Sequence, residues 1–509
     1  MWDQIVLSIA NGFKSLEKSA IAYSKGWYPM QRAIVSGNIE ILKTLLQDGS
    51  NPNLIVKGFP SPLNKAIIED KVEVVTFLLE NGANVNMEDG SNYTPIFQAI
   101  DKESIEILKI LIKNGADVTM VDNLKGTPIK MAILKGNIEI IKLFFQEGAD
   151  PNERPEGCFT PLNMAISEDK KEIMAFLIAN GADVNLADGQ GWHPISKAID
   201  EGNIGIIKIL FQNGANPNSI GEGCVSHLNR AILWNDLKIV KLLIDNGADV
   251  NMVDNKNWTP ISIAVNEGHI GIIKMLIQHG ANPNLIAEGC ISTLNRAIYQ
   301  KKLKIVTFLI DNGADVNMVD GQNRTPITMA IETESIESFK ILIQNNADVN
   351  MVDTMKCTPI IRAIDKGNIE MTRLLIEHGA NLNLSSEESY SPLNMAIYKG
   401  KKEIAKLLIQ NGANVNLVDS LNWSPITMAV YKDKIEILEI LIDKGGNINT
   451  TIASSSNWTQ LNFAIDIGNQ DIMRLMVEKG ANVNLIDNIG CWLQMEQIQI
   501  CWMEMEFLL

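Results

Sequence analysis

Proline returns at a fixed interval along this 509-residue chain. It stands at Pro29, Pro62, Pro95, Pro128, Pro161, Pro194, Pro260, Pro326, Pro359, Pro392 and Pro425, and every gap is either one such interval or two. His227 and Thr293 hold the two skipped places, and Gln460 holds the next one after a two-residue insertion. That makes fourteen units in nearly unbroken register. A repeat of this length means small supersecondary units stacked on their neighbours, not the roughly three or four globular domains that length alone would suggest.

One unit, SPLNMAIYKGKKEIAKLLIQNGANVNLVD from Ser391, shows how each is built. Ser391 before Pro392 reads as an N-cap followed by proline at the first helical position, where a missing N–H costs nothing. Leu393, Ala396, Ile397 and Gly400 fall on one face at helical spacing, and the first helix is predicted to end near Gly400. A second apolar run, Ile404 to Ile409, begins almost at once, and Gly412 marks its left-handed end. The polar, Asn/Asp/Gly-rich stretch up to Ser424–Pro425 reads as turn-like. Neither helix is long enough to be stable alone, so the apolar faces must be buried by stacking.

This unit resembles the ankyrin repeat, with its ~33-residue period and T-P-L-H-x-A signature. The likeness is carried by TPIFQAI at Thr94, TPIKMAI at Thr127, TPLNMAI at Thr160 and TPITMAI at Thr325, and by the helix endings NGADVN from Asn246 and NGANVN from Asn411. It spans residues 27–486 and implies an all-α repeat solenoid, a curved array of helix–turn–helix units with finger-like β-turn loops. There are departures. The signature histidine is absent; Asn64, Asn163, Asn229, Asn295, Asn394 and Asn462 hold its place in one set of repeats, able to replace the loop hydrogen bond usual in the family, and Ser, Thr, Lys, Phe or Ile hold it in other repeats. Asn346 stands for the helix-ending glycine, a substitution that a left-handed residue tolerates best. Residues 1–26 lack the finger and the T-P start and read as a divergent helical cap over the first unit.

A second period, two repeats long, lies over the first, so that 224–259 closely match 290–325. One repeat type has an E-G-C finger and an L-N start, the other V-D in the finger and a T-P-I start. Either pairs were duplicated in ancestry, or the surface alternates to suit a partner that itself repeats. The weakest junction is expected at residues 440–460, where the insertion falls and Gly446 replaces the usual alanine.

Composition removes several function classes. The balance 44 − 60 = −16 and a pI near 4.9 disfavour a nucleic-acid or anionic-lipid footprint. No stretch approaches the ~18 apolar residues of a membrane span. The start, MWDQIVLSIANGF, lacks a basic region and a secretory apolar core, so a cytoplasmic protein is expected. His193, His227, His269, His279 and His378 occupy structural places in their repeats, and none has zinc-ligand spacing. The glycines at 189, 191, 221 and 223 fall in fingers rather than at a strand-to-helix phosphate turn. No catalytic residue, cofactor or metal is expected. Cys158, Cys224 and Cys290 recur two repeats apart, which separates them by about 20 Å in a stacked array. That is too far for a disulfide and suits a reducing compartment.

Two rows are candidates for partner binding. Two residues before the proline place stand Trp27, Tyr93, Phe159, Trp192, Trp258, Tyr390, Trp423 and Trp458, with Arg324 in series, residue types that dominate binding hot spots. The alternative is that each ring packs on the next finger. Three residues after the proline place stand Arg32, Lys65, Lys197, Arg230, Arg296 and Arg362, alternating with Met131, Met164, Met329, Met395 and Met428. The resemblance places this side of the first helix along a concave groove, where Arg and Met suit an acidic or apolar peptide, although the stems can equally pack between helices. The expected function is a non-enzymatic, monomeric scaffold that binds a protein partner through fingers and groove. The alternative is a targeting module for a catalytic or membrane domain outside this chain.

The tail 487–509 departs from the pattern. Where a T-P start is due the chain reads CWLQMEQIQICWMEMEFLL. Back-translated and shifted by joining the third base of each codon to the next two, this stretch permits L-L-A-x-N-G-A-D-P-N-L-L-D-G-N-G-V-S-P, the end of a second helix and a new finger. A frame error with loss of sequence near Cys491 is therefore expected, with further repeats encoded downstream; a diverged capping helix is the alternative. Sequencing the transcript should reveal repeat-like coding sequence in the shifted frame, and a verified message without it would refute the reading.

Overall fold

The computed structural model describes residues 27–121, 126–154, 157–220, 225–353, 357–384, 390–451 and 459–483. The cap expected at 1–26 and the tail at 487–509 lie outside the described residues, as do Cys224, Trp458 and the side chain of Trp27. Among the described residues there are 28 helices and no strand, only an isolated bridge between Thr451 and Thr459. The helices form pairs, from Trp27–Ser36 with Ile39–Gln47 to Gln460–Ile467 with Gln470–Glu478. The chain divides into two units, Met1–Asp249 and Val250–Leu509, each an all-α solenoid array of seven described pairs.

The helices begin and end for local reasons. Ser61, Thr160, Ser226, Ser292, Ser391 and Thr459 each accept a backbone N–H through the side-chain oxygen, and proline at the next place in most repeats presets φ. The turn between the two helices needs a left-handed residue eight places after the proline. Glycine supplies it at Gly136, Gly268 and Gly400, whereas Asp70, Glu103, Asp169, Asn235, Lys301, Glu334 and Asp433 adopt it with φ of 50–55°. A side chain there costs about 1–2 kcal/mol, which stacking must offset. Asn346 has φ 63° in the place of the helix-ending glycine.

Each repeat buries the same positions. In the pair Pro260–Glu267 and Ile270–Gln278, the side chains of Ile261, Ala264, Val265, Ile272, Ile273 and Leu276 are buried between neighbouring helices. Alanine lets the helices approach, and leucine and isoleucine fill the seams.

Polar latches join consecutive repeats. The asparagine in the signature-histidine place is buried and points into the next finger. Asn163 Nδ2 donates to Asp188 Oδ2 (2.8 Å) and to the carbonyl of Trp192 (2.7 Å), and Asn394 does the same to Asp419 and Trp423, both at 2.7 Å. Asn64 and Asn295 repeat the arrangement with Asp89 and Tyr93, and with Asp320 and Arg324. The other oxygen, Asp419 Oδ1, accepts the N–H groups of Leu421 and Trp423. A buried carboxylate is tolerated because its lone pairs are filled.

This latch gives the two-repeat period a structural cause. Every L-N asparagine, Asn64 through Asn462, is followed at one constant spacing by an aspartate, Asp89 through Asp487. The glycine after that aspartate adds a contact: Gly189 and Gly321 donate their N–H groups to the carbonyls of Cys158 and Cys290 (2.9 and 2.8 Å). A Cβ on Gly321 would lie 2.6 Å from the backbone nitrogen of Cys290, so a side chain there would force the Cys290 finger to shift. The two finger types are complementary halves of one junction.

A second latch lies at the finger base. The Nδ2 of Asn152, Asn185, Asn251, Asn284 and Asn416 donates to the glycine carbonyl that ends the next second helix, and each Oδ1 accepts an N–H two places further on. Thr119 replaces this asparagine and bonds within its own finger to Asp117 instead. At the expected weak junction, the place a Cβ on Gly446 would occupy lies 2.9 Å from Ile426 Cδ1, so the missing methyl leaves no void.

Two of the three residues that replace proline bond to the repeat before them, whereas the buried Thr293 hydroxyl makes no hydrogen bond. Gln460 Nε2 donates to Thr427 Oγ1 (2.8 Å), and buried His227 lies between the hydroxyls of Ser196 and Ser219, both at 2.9 Å. Burial, reinforced by His193 and Arg230, pushes the His227 imidazole from 6.5 down to about 3.

The latches are open to direct tests. Asn394→Ala should destabilise the junction by about 1.5–3 kcal/mol, because it removes a donor from a buried carboxylate. Asn394→Asp should cost more at pH 7 than at pH 5, since two carboxylates would then face each other; hydrogen exchange over residues 391–431 checks both. His227, neutral in the fold, binds a proton more readily when unfolded. Its contribution is complete above pH 6.5 and is lost at about 1.4 kcal/mol per pH unit as pH falls toward 3. Exchange protection over 193–233 should therefore drop by about 2 kcal/mol between pH 7 and pH 5. In His227→Thr that drop should be absent, and an equal drop would show that another group titrates.

Candidate functional site

The finger residue two places before the proline is held by its backbone. The N–H groups of Tyr93, Trp192, Trp258, Arg324 and Trp423 donate to the finger aspartates Asp89, Asp188, Asp254, Asp320 and Asp419. The carbonyls of Tyr93, Trp192, Arg324 and Trp423 accept from the latch asparagines. Tyr93, Trp192, Trp258 and Trp423 are thereby fixed to the scaffold.

In the sequence the finger row and the first-helix row read as two surfaces. The structure brings them together. The cation three places after the proline lies over the finger ring of the preceding repeat: Lys197 over Phe159 at 5.5 Å, Arg230 over Trp192 at 4.3 Å and Arg296 over Trp258 at 4.2 Å. Such stacks contribute about 0.5–2 kcal/mol and fix both side chains. The Phe159, Trp192 and Trp258 rings thus meet the first helix of the next repeat.

The remaining cations of the row have varied surroundings. Arg32 is exposed and Lys65 pairs with Glu69 at 2.6 Å; both line one open depression with Phe59 and Pro60. Lys197 also reaches Glu201 at 3.5 Å, and Arg230 reaches Asp200 at 3.1 Å. Arg362 turns inward to Asp353, donating from Nε and Nη2 at 2.9 and 2.7 Å, where the preceding repeat has Thr328 and no latch asparagine. Burial alone would pull this guanidinium down, but its bonds to Asp353 outweigh that and leave it raised. Arg324 pairs with Glu332 at 3.4 Å. Of the methionines, Met164, Met329 and Met428 are buried and serve packing, while Met131 and Met395 are half-buried.

In the second unit the row becomes an aromatic cluster. Tyr390 stacks on Tyr398 and Trp423 leans on Tyr431, each at 5.0 Å, and Tyr431 stacks on Phe463 at 6.4 Å. Lys432 lies 4.0 Å from the Tyr398 ring and 5.0 Å from Tyr431. Burial raises the Tyr390 phenol, with Tyr398 adding to the effect.

Sequence reasoning missed an exposed row six or seven places after the proline. It includes Leu134, Leu233, Trp234 (63% exposed), Tyr299 (61%), Tyr398 and Tyr431. The signal was present, because apolar residues here alternate with the acids Asp101, Asp200, Glu332 and Asp365. Three of these acids take bonds from the next repeat, from Lys135 to Asp101, from the Trp234 indole N–H to Asp200 and from Lys399 to Asp365.

Among the described residues, no group of three or more His, Cys, Asp or Glu is placed to hold a metal ion, and no helix is long and apolar enough to cross a membrane.

Comparison with known proteins agrees with this architecture. A family model described as ankyrin repeats (3 copies) matches residues 30–122, 63–155, 129–220, 225–287, 294–386, 327–419 and 393–487. Among solved structures, the chain is similar to the ankyrin repeat domain of Bcl-3, a unique member of the IkappaB protein family, at 24% identity and TM-score 0.40 over 45% of this chain and 98% of that one. It is also similar to the human ASB11 ankyrin repeat domain, at 26% identity and TM-score 0.36 over 43% of this chain and 98% of that one. A search of curated proteins gives no significant match. Ankyrin repeats are in general protein–protein interaction modules, on a fold that is typically non-catalytic. With its helix pairs, its fingers and a family model that covers most of its length, this chain belongs to the ankyrin-repeat family.

Proposed function

We propose that the chain is a non-enzymatic scaffold that grips protein partners along the joined finger and first-helix surface, acting as a monomeric array in the cytoplasm. The observation that carries this reading is the series of cation–ring stacks at Phe159, Trp192 and Trp258, continued by the aromatic cluster around Trp423. Arg, Trp and Tyr are the side chains that most often concentrate binding energy. Here they are held in place before a partner arrives, which lowers the ordering cost of association. The net charge of −16 argues against nucleic acid as that partner.

The test uses the intact chain as bait, followed by affinity measurements on a purified captured partner. Trp258→Ala and Trp423→Ala should each weaken binding by about 1–3 kcal/mol, with protein that still folds. Unchanged affinity in both variants would mean that the rings serve the array alone.

A further inference from the structure

The two-repeat period places two near-copies of one polar site in the chain, one in each unit. In the first, the Arg230 guanidinium stacks on Trp192 and its Nη1 donates to both oxygens of Asp200 (3.3 and 3.1 Å). Asp200 also accepts the Trp234 indole N–H at 3.0 Å. Its charge is answered within the chain.

In the second copy, Arg296 stacks on Trp258 in the same way, but Asn266 stands where Asp200 stood and Gln300 stands for Trp234. Arg296 Nη1 makes one long bond of 3.3 Å to Asn266 Oδ1, an atom that already accepts from Gln300 at 3.1 Å. Among the described residues, Arg296 has no carboxylate partner. Its Nε is buried without an acceptor, as is that of Arg230, and the Arg296 side chain is half-buried, so what sets the second copy apart is the missing carboxylate. Neighbouring Glu267 is occupied with Asn266 Nδ2 at 2.9 Å. Lys302 spends its ammonium on the carbonyls of Val265 and Asn266 (3.1 and 2.8 Å), keeping a second cation nearby. Tyr299, one helical turn from Arg296 and 61% exposed, supplies an apolar wall.

We infer that Arg296 is a docking site for a carboxylate of an acidic segment in a protein partner, with an apolar neighbour of that residue resting on Tyr299. A guanidinium held flat on an indole presents a fixed fork that matches a carboxylate. Burial also draws the Arg296 guanidinium down from its usual value, the mark of a cation short of solvation. The site sharpens the scaffold reading, on which it rests, by naming the partner's chemistry.

The experiment measures anisotropy of a dye-labelled octapeptide of alternating Glu and Leu, with a Gln–Leu octapeptide as control, against the full chain at low and moderate salt. The Glu peptide should bind, weaken with salt and bind better than the Gln peptide. Asn266→Asp, which installs the carboxylate that the first copy already carries, should lower affinity about fivefold or more, as should Arg296→Gln. Asp200→Asn should open the first copy and raise the stoichiometry from one peptide to two. Equal affinity for the two peptides, or an Asn266→Asp chain that binds as well as the original, overturns the site. If that happens while a captured partner is still lost on Trp258→Ala, the scaffold reading stands without it.

Discussion

The buried bond between a first-helix asparagine and the aspartate of the following finger is the interaction on which much else in this protein depends. An ankyrin finger is a stretch of irregular backbone with few apolar contacts of its own. Here the fingers that follow a latch asparagine fold around a carboxylate such as Asp188 or Asp419, which gathers N–H groups from its own turn and an amide from the previous repeat. An unpaired carboxylate in that position would be strongly destabilising. The satisfied one fixes the finger relative to the repeat beneath it, and so fixes the register of stacking.

The same latch bears on the candidate binding surface. The residue clamped at both its N–H and its carbonyl is the finger residue that carries Tyr93, Trp192 or Trp423. A cation from the next repeat covers Trp192, and Tyr431 of the first helix that follows leans on Trp423. Stability and recognition thus share a row of residues, and the two are not separable by exposure alone. Arg362 illustrates the overlap. It belongs to the cation row by position, yet its guanidinium fills the donor place that Thr328 leaves empty over Asp353.

Alternation along the chain has a physical meaning beyond ancestry. The Asp-Gly fingers at Gly189 and Gly321 take an asparagine amide from the helix before them and bond to the E-G-C backbone beside them, so these repeats work as neighbours rather than as interchangeable copies. Where proline gives way to His227 or Gln460, a hydroxyl on the preceding repeat supplies the missing polar partner. Near-identical copies that differ at one acceptor, Asp200 against Asn266, differ in whether an arginine is satisfied within the chain.

The sequence by itself determined the period, the helix pairs, their caps and the apolar seams, because these follow from local chemistry repeated at fixed spacing. Proline, a hydroxyl before it, glycine after it and helical apolar spacing act within a few residues of one another. It also singled out the asparagines, the aromatic row and the cation row as positions of note. What it did not disclose was that the last two meet, since the contact joins residues more than a full repeat apart through the stacking of separate units. Only tertiary structure decided that Arg230 and Arg296 lie over Trp192 and Trp258, that Arg362 turns inward, that Met329 and Met428 are buried and that Trp234 and Tyr299 are exposed. The reason is geometric: spacing along a helix gives the direction of a side chain, and the neighbouring repeat decides what it meets.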